Sequence, residues 1–208
     1  YLQEVGKFTN KIDELLNFLQ QTMPKEHLFS RIKASPIPEI PPEVWLLGTS
    51  KKSSIIAAEK GLPYAFGYFM SDFDGVAIVN NYREQFIKRH ETKPYVILAV
   101  HAICAETTEK AKQLAKSPIA WQLLQEKSND DLQIPSMKEV EEYDWTEEDK
   151  LRIEKKLLSM IVGNQQEVKE KLKQLAHMYK ADELMIVTIT HEIEEKLNSY
   201  RLIAEAML

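Results

Sequence analysis

Hydroxyl side chains cluster at Thr49, Ser50, Ser53 and Ser54, just after the apolar run Val44 to Leu47. Ser50 and Ser53 are three apart, so both hydroxyls fall on one side of a first helical turn. Where a strand end feeds a helix N-terminus, N–H groups and the helix dipole converge on one point. The chemistry expected there is anion binding, with phosphate as the first candidate. The alternative is that Ser50 and Ser53 only cap the helix. Lys51-Lys52-Ser53 is not a nucleotide-binding loop, because the required Gly-Lys-Ser/Thr with an earlier glycine is absent. No His, Cys and carboxylate spacing matches a metal motif, so no metal is expected. No Ser-His-Asp or Cys-His arrangement can be argued from spacing either. Cys104 reads as an apolar filler.

Those hydroxyls need a strand before them and a helix after them. Val44 to Leu47 is a short unbroken apolar run, as in a strand covered on both faces. Gly48 makes the turn, Ile55 to Lys60 continues a helix, and Gly61 supplies its left-handed stop. Upstream, Val5, Phe8, Ile12, Leu15, Leu16 and Leu19 form one apolar face of a helix over 3–21. Five prolines between 22 and 43 predict an extended connector.

Downstream, Pro63 to Met70 is an aromatic-rich strand candidate. Ser71 or Asp72 caps the next helix, whose buried stripe is Val76, Val79, Tyr82 and Phe86. Tyr95 to Cys104 is a third strand, with His101 near its end on the face of Tyr95, Ile97 and Ala99. Thr107 caps a helix with Ala111, Leu114 and Ala115 inward. Pro118 and Pro135 break the rhythm, and 117–145 reads as an excursion from the core, with 125–145 placed to act as a lid. A helix from Thr146 to about Met160 follows. Asn164 and Glu167 then form a capping box, ahead of a core face of Val168, Leu172, Leu175 and Ala176. Glu183 to Thr190 is the fourth strand. The last helix turns Ile193, Leu197, Tyr200 and Ala204 inward. Strand and helix alternate four times in what reads as a single domain, which predicts a parallel sheet with helices outside. Four strands are too few to close an eight-stranded barrel.

Composition narrows the class. The chain has 208 residues, 44 % hydrophobic, with a formal net charge of −5. That is enough apolar content for a core, and the mild acidity argues against nucleic acid as a partner. No stretch approaches a membrane span. A single cysteine favours a reducing compartment, and the expected location is the cytoplasm.

The ordered runs Trp45-Leu46-Leu47-Gly48-Thr49-Ser50 and Ala57-Ala58-Glu59-Lys60-Gly61-Leu62-Pro63-Tyr64-Ala65-Phe66 resemble the bacterial luciferase-like flavin-dependent monooxygenases. The branch they are most similar to is called luciferase family oxidoreductase, group 1. Pro94-Tyr95-Val96, Ile161-Val162-Gly163-Asn164 with Glu167-Val168, Ala181 to Met185 and Thr188-Ile189-Thr190-His191 continue the resemblance in order. It implies a (β/α)8 TIM barrel, of which this chain supplies strands five to eight and the family's first half has no counterpart here.

The resemblance further implies a flavoprotein. Reduced flavin mononucleotide (FMN) and O2 would oxygenate a small organic substrate, with the flavin reduced by a separate flavin reductase. A homodimer is expected, with no membrane or nucleic acid partner. Flavin phosphate would sit at Thr49, Ser50 and Ser53, and Leu47, Phe66 and Tyr68 would line the flavin ring. His101, Thr188 and His191 are candidates for the substrate pocket. For His101 the alternative is a satisfied core histidine, and for Phe66 and Tyr68 it is core filling. Two other functions stay open: a flavin-binding barrel without turnover, and a structural fragment.

Overall fold

A computed structural model describes residues 2–71, 74–89, 93–128 and 131–208, with the side chains of 2–7 and 159 outside the description. The expected cap Asp72 therefore lies outside the described residues. The chain divides into two compact units, Tyr1–Trp45 and Leu46–Leu208.

The first unit carries one helix, α1 (Leu2–Gln20), followed by turns and no strand among its described residues. Ile12 and Leu16 of the expected stripe are buried, while Phe8 and Leu15 are exposed. The connector folds back on α1 through Phe18 and Phe29, whose ring centroids lie 6.3 Å apart, and through His27 Nε2, 3.2 Å from Glu14 Oε1.

The second unit is a parallel α/β sheet with helices packed on it. Strand β1 (Leu46–Gly48) pairs with β2 (Tyr64–Gly67), and β2 pairs with β3 (Val96–Cys104). On the opposite edge of β3 lies β5 (Glu183–Val187), whose register sets Val187 against His101. A short strand, β4 (Ile161–Gly163), pairs with the last residues of β3. The sequence pattern did not separate β4 from the helix after it, because three residues are too few for any periodicity. All five strands run parallel, in keeping with the crossovers between them.

Strand alternation divides the sheet into two faces. Tyr64 and Phe66 of β2 and Val96, Leu98, Val100, Ala102 and Cys104 of β3 pack against one layer of helices. That layer is α2 (Lys51–Lys60), α3 (Gly75–Gln85), α7 (Gln165–Tyr179) and α8 (Ile193–Met207). It contributes Ala57, Ala58, Val79, Tyr82, Val168, Leu172, Leu202 and Ile203 to the core. Ala65, Gly67, Ile97, Ala99 and His101 alternate onto the second face. At the end of β3, Ile103 joins Ala111 and Ala115 of α4 (Thr108–Lys127) and Val162 in a second cluster.

Local chemistry explains the helix ends. Ser50, Asp74, Thr107, Thr146 and Asn164 each accept an N–H bond as N-caps. Gly61 ends α2 with φ 64°, a conformation a side chain would strain. Lys180 adopts φ 49° at the end of α7 without that freedom.

Three expectations fail. First, α4 runs through Pro118 to Lys127. A proline inside a helix removes one N–H, which costs one bond and leaves the rest of the helix intact when the ring is packed, and Pro118 is buried. Second, α8 buries Ser199, Leu202 and Ile203, whereas Ile193 and Leu197 are 70 % and 61 % exposed and Ala204 is exposed too. The Ser199 hydroxyl decides that rotation, because it accepts the Cys104 N–H at 2.9 Å in the core. Third, the strand after Pro63 ends at Gly67, and Tyr68–Met70 forms a single 3-10 turn.

Residues 117–127 of the expected excursion belong to α4, and a stretch with short α5 (Met137–Glu142) leads from there to α6 (Glu147–Ser159). Its irregular part is held by carbonyls. Leu132 O accepts from Trp121 Nε1 at 2.7 Å and from Gln125 Nε2 at 3.2 Å. Ile134 O meets His191 Nδ1 at 2.7 Å, and Pro135 O accepts from Ser117. Among the described residues no helix is long and apolar enough to cross a membrane.

Candidate functional site

The turn from β1 into α2 is held by a serine pair. Ser50 caps α2, its Oγ accepting from Ser53 N at 3.2 Å, and Ser50 N donates back to Ser53 Oγ at 3.2 Å. Ser53 Oγ also donates to Ser50 O at 2.8 Å and lies 2.9 Å from the Tyr64 hydroxyl. With its own hydrogen used, Ser53 accepts from Tyr64. A hydroxyl has one hydrogen and two lone pairs, so Ser53 is saturated. A Cβ on Gly48 would collide with the Ser53 side chain, so glycine is what lets Ser53 tuck under the strand end.

This corrects the expectation that Ser50 and Ser53 point together at an anion. Ser53 is turned into the fold, and only Ser50, approaching Ser53 Oγ at 3.3 Å, keeps a hydrogen able to turn outward. Tyr64 is the residue that sequence reasoning missed. Burial raises its pKa, and the Ser53 hydrogen bond offsets part of that rise. The available signal was its parity with Phe66, which places both on the helix-facing side of β2.

The same parity puts Phe66, expected to line the flavin ring, on the helix-facing side, while Tyr68 lies past the end of β2 in the 3-10 turn. Phe66 is fully buried against the helix layer, 5.7 Å from the Tyr179 ring. Tyr68 stacks edge-on against Tyr179 at 5.8 Å. Phe66 fills the core between β2, α3 and α7, and the half-buried Tyr68 packs against it. Leu47 and Thr49 belong to the second face. Leu47 is 59 % exposed because β1 is an edge strand, not one covered on both faces. The Thr49 methyl and Met70 Cε lie 3.3 Å and 2.6 Å from where a Gly67 Cβ would stand.

Thr188 and His191 are engaged elsewhere. The Thr188 hydroxyl donates to Ala102 O at 2.8 Å, and its N–H donates to Tyr200. His191 holds Ile134 O and sits 3.4 Å from a Glu192 carboxylate oxygen. Thr188 therefore ties β5 to β3, and His191 ties the excursion to the end of β5.

His101 differs from both. It is 6 % exposed, and its Nε2 has no hydrogen-bond partner among the described residues. It is not a satisfied core histidine. Burial pushes its imidazole down to about 4, so the ring is neutral at pH 7. Cys104, on the helix-facing side of the same strand, has its thiol pushed up to about 11 by burial, with Glu106 adding to the shift, and is not a thiolate nucleophile. Among the described residues no group of His, Cys, Asp and Glu could hold a metal. The second face thus offers Thr49 and Leu47 at β1 and a neutral, unsatisfied imidazole on β3.

The luciferase-like monooxygenase family model matches residues 4–181. The uncharacterized Bacillus subtilis protein YwcH is 35 % identical over 98 % of this chain, and the match covers 62 % of that protein. The N-acetyl-S-alkylcysteine monooxygenase of Bacillus subtilis is 28 % identical over 100 % of this chain and 62 % of its own length. The crystal structure of apo-MsnO8 superposes with a TM-score of 0.76 at 25 % identity, over 97 % of this chain and 60 % of that one. The chain thus spans about three fifths of the length of these relatives. A family match that runs from α1 past the end of α7 takes in β1, its serine turn and His101, and the chain belongs to the luciferase-like monooxygenase family.

Proposed function

We propose that this protein is a flavin-dependent monooxygenase that uses reduced FMN and O2 to oxygenate a small organic substrate. Family membership supports the reaction class. The observation that carries the flavin is the unsatisfied Nε2 of His101, on the same face of the sheet as Thr49 and near the C-terminal strand ends. Ligands of parallel α/β folds bind at those ends. Strands β1, β2, β3 and β5 are read as strands five to eight of a (β/α)8 barrel.

Within that reading the Ser50 hydroxyl, Thr49 and the first-turn N–H groups of α2 hold the flavin phosphate. A charge at such a terminus gains about 0.3–1 kcal/mol, and up to about 2 kcal/mol when partly buried. Tyr64 and Ser53 brace the turn from below and do not touch the ligand. Leu47 and Met70 exclude water from the second face. Bound reduced flavin supplies the electrons for oxygen activation. A separate reductase supplies the reduced flavin, since the sequence carries no Gly-x-Gly-x-x-Gly fingerprint for a nicotinamide cofactor. The lone, buried Cys104 suits a reducing compartment such as the cytoplasm.

The test is an anaerobic titration with reduced FMN, followed by addition of 18O2 and a substrate. An N-acetyl-S-alkylcysteine is the first substrate to try, because one relative is named for it. Binding of FMN and transfer of one labelled oxygen to the thioether are the expected results. Failure to bind either oxidised or reduced FMN would overturn the reading. Binding with no product from any substrate would favour a flavin-binding protein without turnover.

A further inference from the structure

Three other polar groups at the strand ends have partners that account for them. Ser53 is saturated by Ser50 and Tyr64, Thr188 by Ala102 O, and His191 by Ile134 O. His101 Nε2 has none among the described residues, although its residue is more than nine-tenths buried. Folded proteins keep few such atoms, and each calls for an explanation.

The neighbours of His101 on its own face do not supply one. Ala99 and Ile103 are apolar, and so is Val187, its register partner on β5. Among the described residues no group of three or more His, Cys, Asp and Glu is placed to hold a metal there. Burial keeps the ring uncharged, so a charged phosphate or carboxylate is a poor match for it. The fitting partner is an uncharged polar edge that can donate or accept one hydrogen bond.

We propose that His101 Nε2 hydrogen-bonds the uncharged polar edge of the flavin ring, which lies across the second face from β1 to β3. The proposal rests on the flavin reading above. Its geometry follows from the sheet. β1 and β3 are separated by β2 alone, so the strands that carry the two ends of the site stand about two strand spacings apart, roughly 10 Å. The ribityl chain of FMN bridges that kind of separation between its phosphate and its ring. Between them Ala65, Gly67 and Ala99 carry almost no side chain and are buried, so the ring rests beyond them, at the C-terminal strand ends. Met70 and the Thr49 methyl line the Gly67 position with apolar atoms suited to a ring. His101 thus acts as a positioning contact of the ring, and the phosphate end is served separately.

The experiment uses FMN itself as the probe. Fluorescence titration compares the wild type with His101→Leu and His101→Gln, and 15N NMR follows the His101 imidazole of the wild type with and without FMN. The expected results are a shift of the Nε2 resonance on FMN addition and about tenfold weaker binding in His101→Leu. Glutamine, which keeps one hydrogen-bonding group, should restore most of the affinity. Wild-type protein that binds FMN with an unmoved Nε2 resonance would overturn this assignment while leaving the flavin reading standing. Equal affinity in His101→Leu would do the same. Wild-type protein that binds no FMN would overturn the flavin reading, and this assignment with it.

Discussion

Acid should unfold this protein partly through His101. Its imidazole titrates near 4 in the folded chain, because burial removes the water that would solvate the charged form. In the unfolded chain it titrates near 6.5. At pH 7.5 both states are neutral at this residue, and it contributes no difference. Below 6.5 the unfolded state takes up the proton first, so stability falls as pH drops and the loss is complete below 4. The two values give a loss of about 2 kcal/mol at pH 5.0, above the range where most carboxylates titrate. Urea unfolding at pH 7.5 and pH 5.0 measures it, with His101→Leu as the reference. Contributions common to the two proteins cancel in this comparison. Wild type should lose about 2 kcal/mol more than His101→Leu between the two pH values. Equal losses would refute a buried, neutral His101 and the explanation built on it.

Other predictions concern the frame of the site. Tyr64→Phe removes the hydroxyl that Ser53 accepts from and should cost about 1 kcal/mol in urea unfolding. Gly48→Ala forces Ser53 out of its place under β1. It should destabilise the protein by about 1–3 kcal/mol and weaken FMN binding in the same titration. Asp182 accepts from Arg83 Nη2 at 2.7 Å and from the Val96 N–H at 2.8 Å. Asp182→Ala leaves both donors short of an acceptor and should cost about 2–3 kcal/mol by the same measure. Lys180→Gly relieves a left-handed backbone residue and should stabilise the protein by about 0.5–1 kcal/mol, since Arg83 bonds only the Lys180 carbonyl.

Several helix starts were legible because capping is local chemistry, although α3 is capped by Asp74 and Ser71 instead closes the 3-10 turn before it. Thr146 with Asp149 and Asn164 with Glu167 form their boxes within four residues, and no distant contact is needed. The parallel sheet followed from alternation, and β3 announced itself as a nearly unbroken apolar run. What the sequence could not decide was direction. Phe66 and His101 both look like strand residues near an active end. One faces the helices and the other does not, and only the register of the assembled sheet separates them. Leu47 looked buried because an apolar run carries no mark of an edge strand. The rotation of α8 was hidden for a similar reason. Ile193 and Leu197 match the helical period, yet Ser199, whose hydroxyl meets a strand N–H, fixes the face. Pro118 misled because a breaker in isolation is tolerated once its ring is packed.

The segment 132–135 is fastened by its carbonyl oxygens, with the gripping side chains on α4 and just before α8. Every residue type offers the same carbonyl. The instruction for placing this segment is therefore written in Ser117, Trp121, Gln125 and His191, all of them outside it. Its own sequence is free to drift, so relatives can change its character without re-inventing its path. Diversity among such proteins should accumulate there, while the four donors resist replacement.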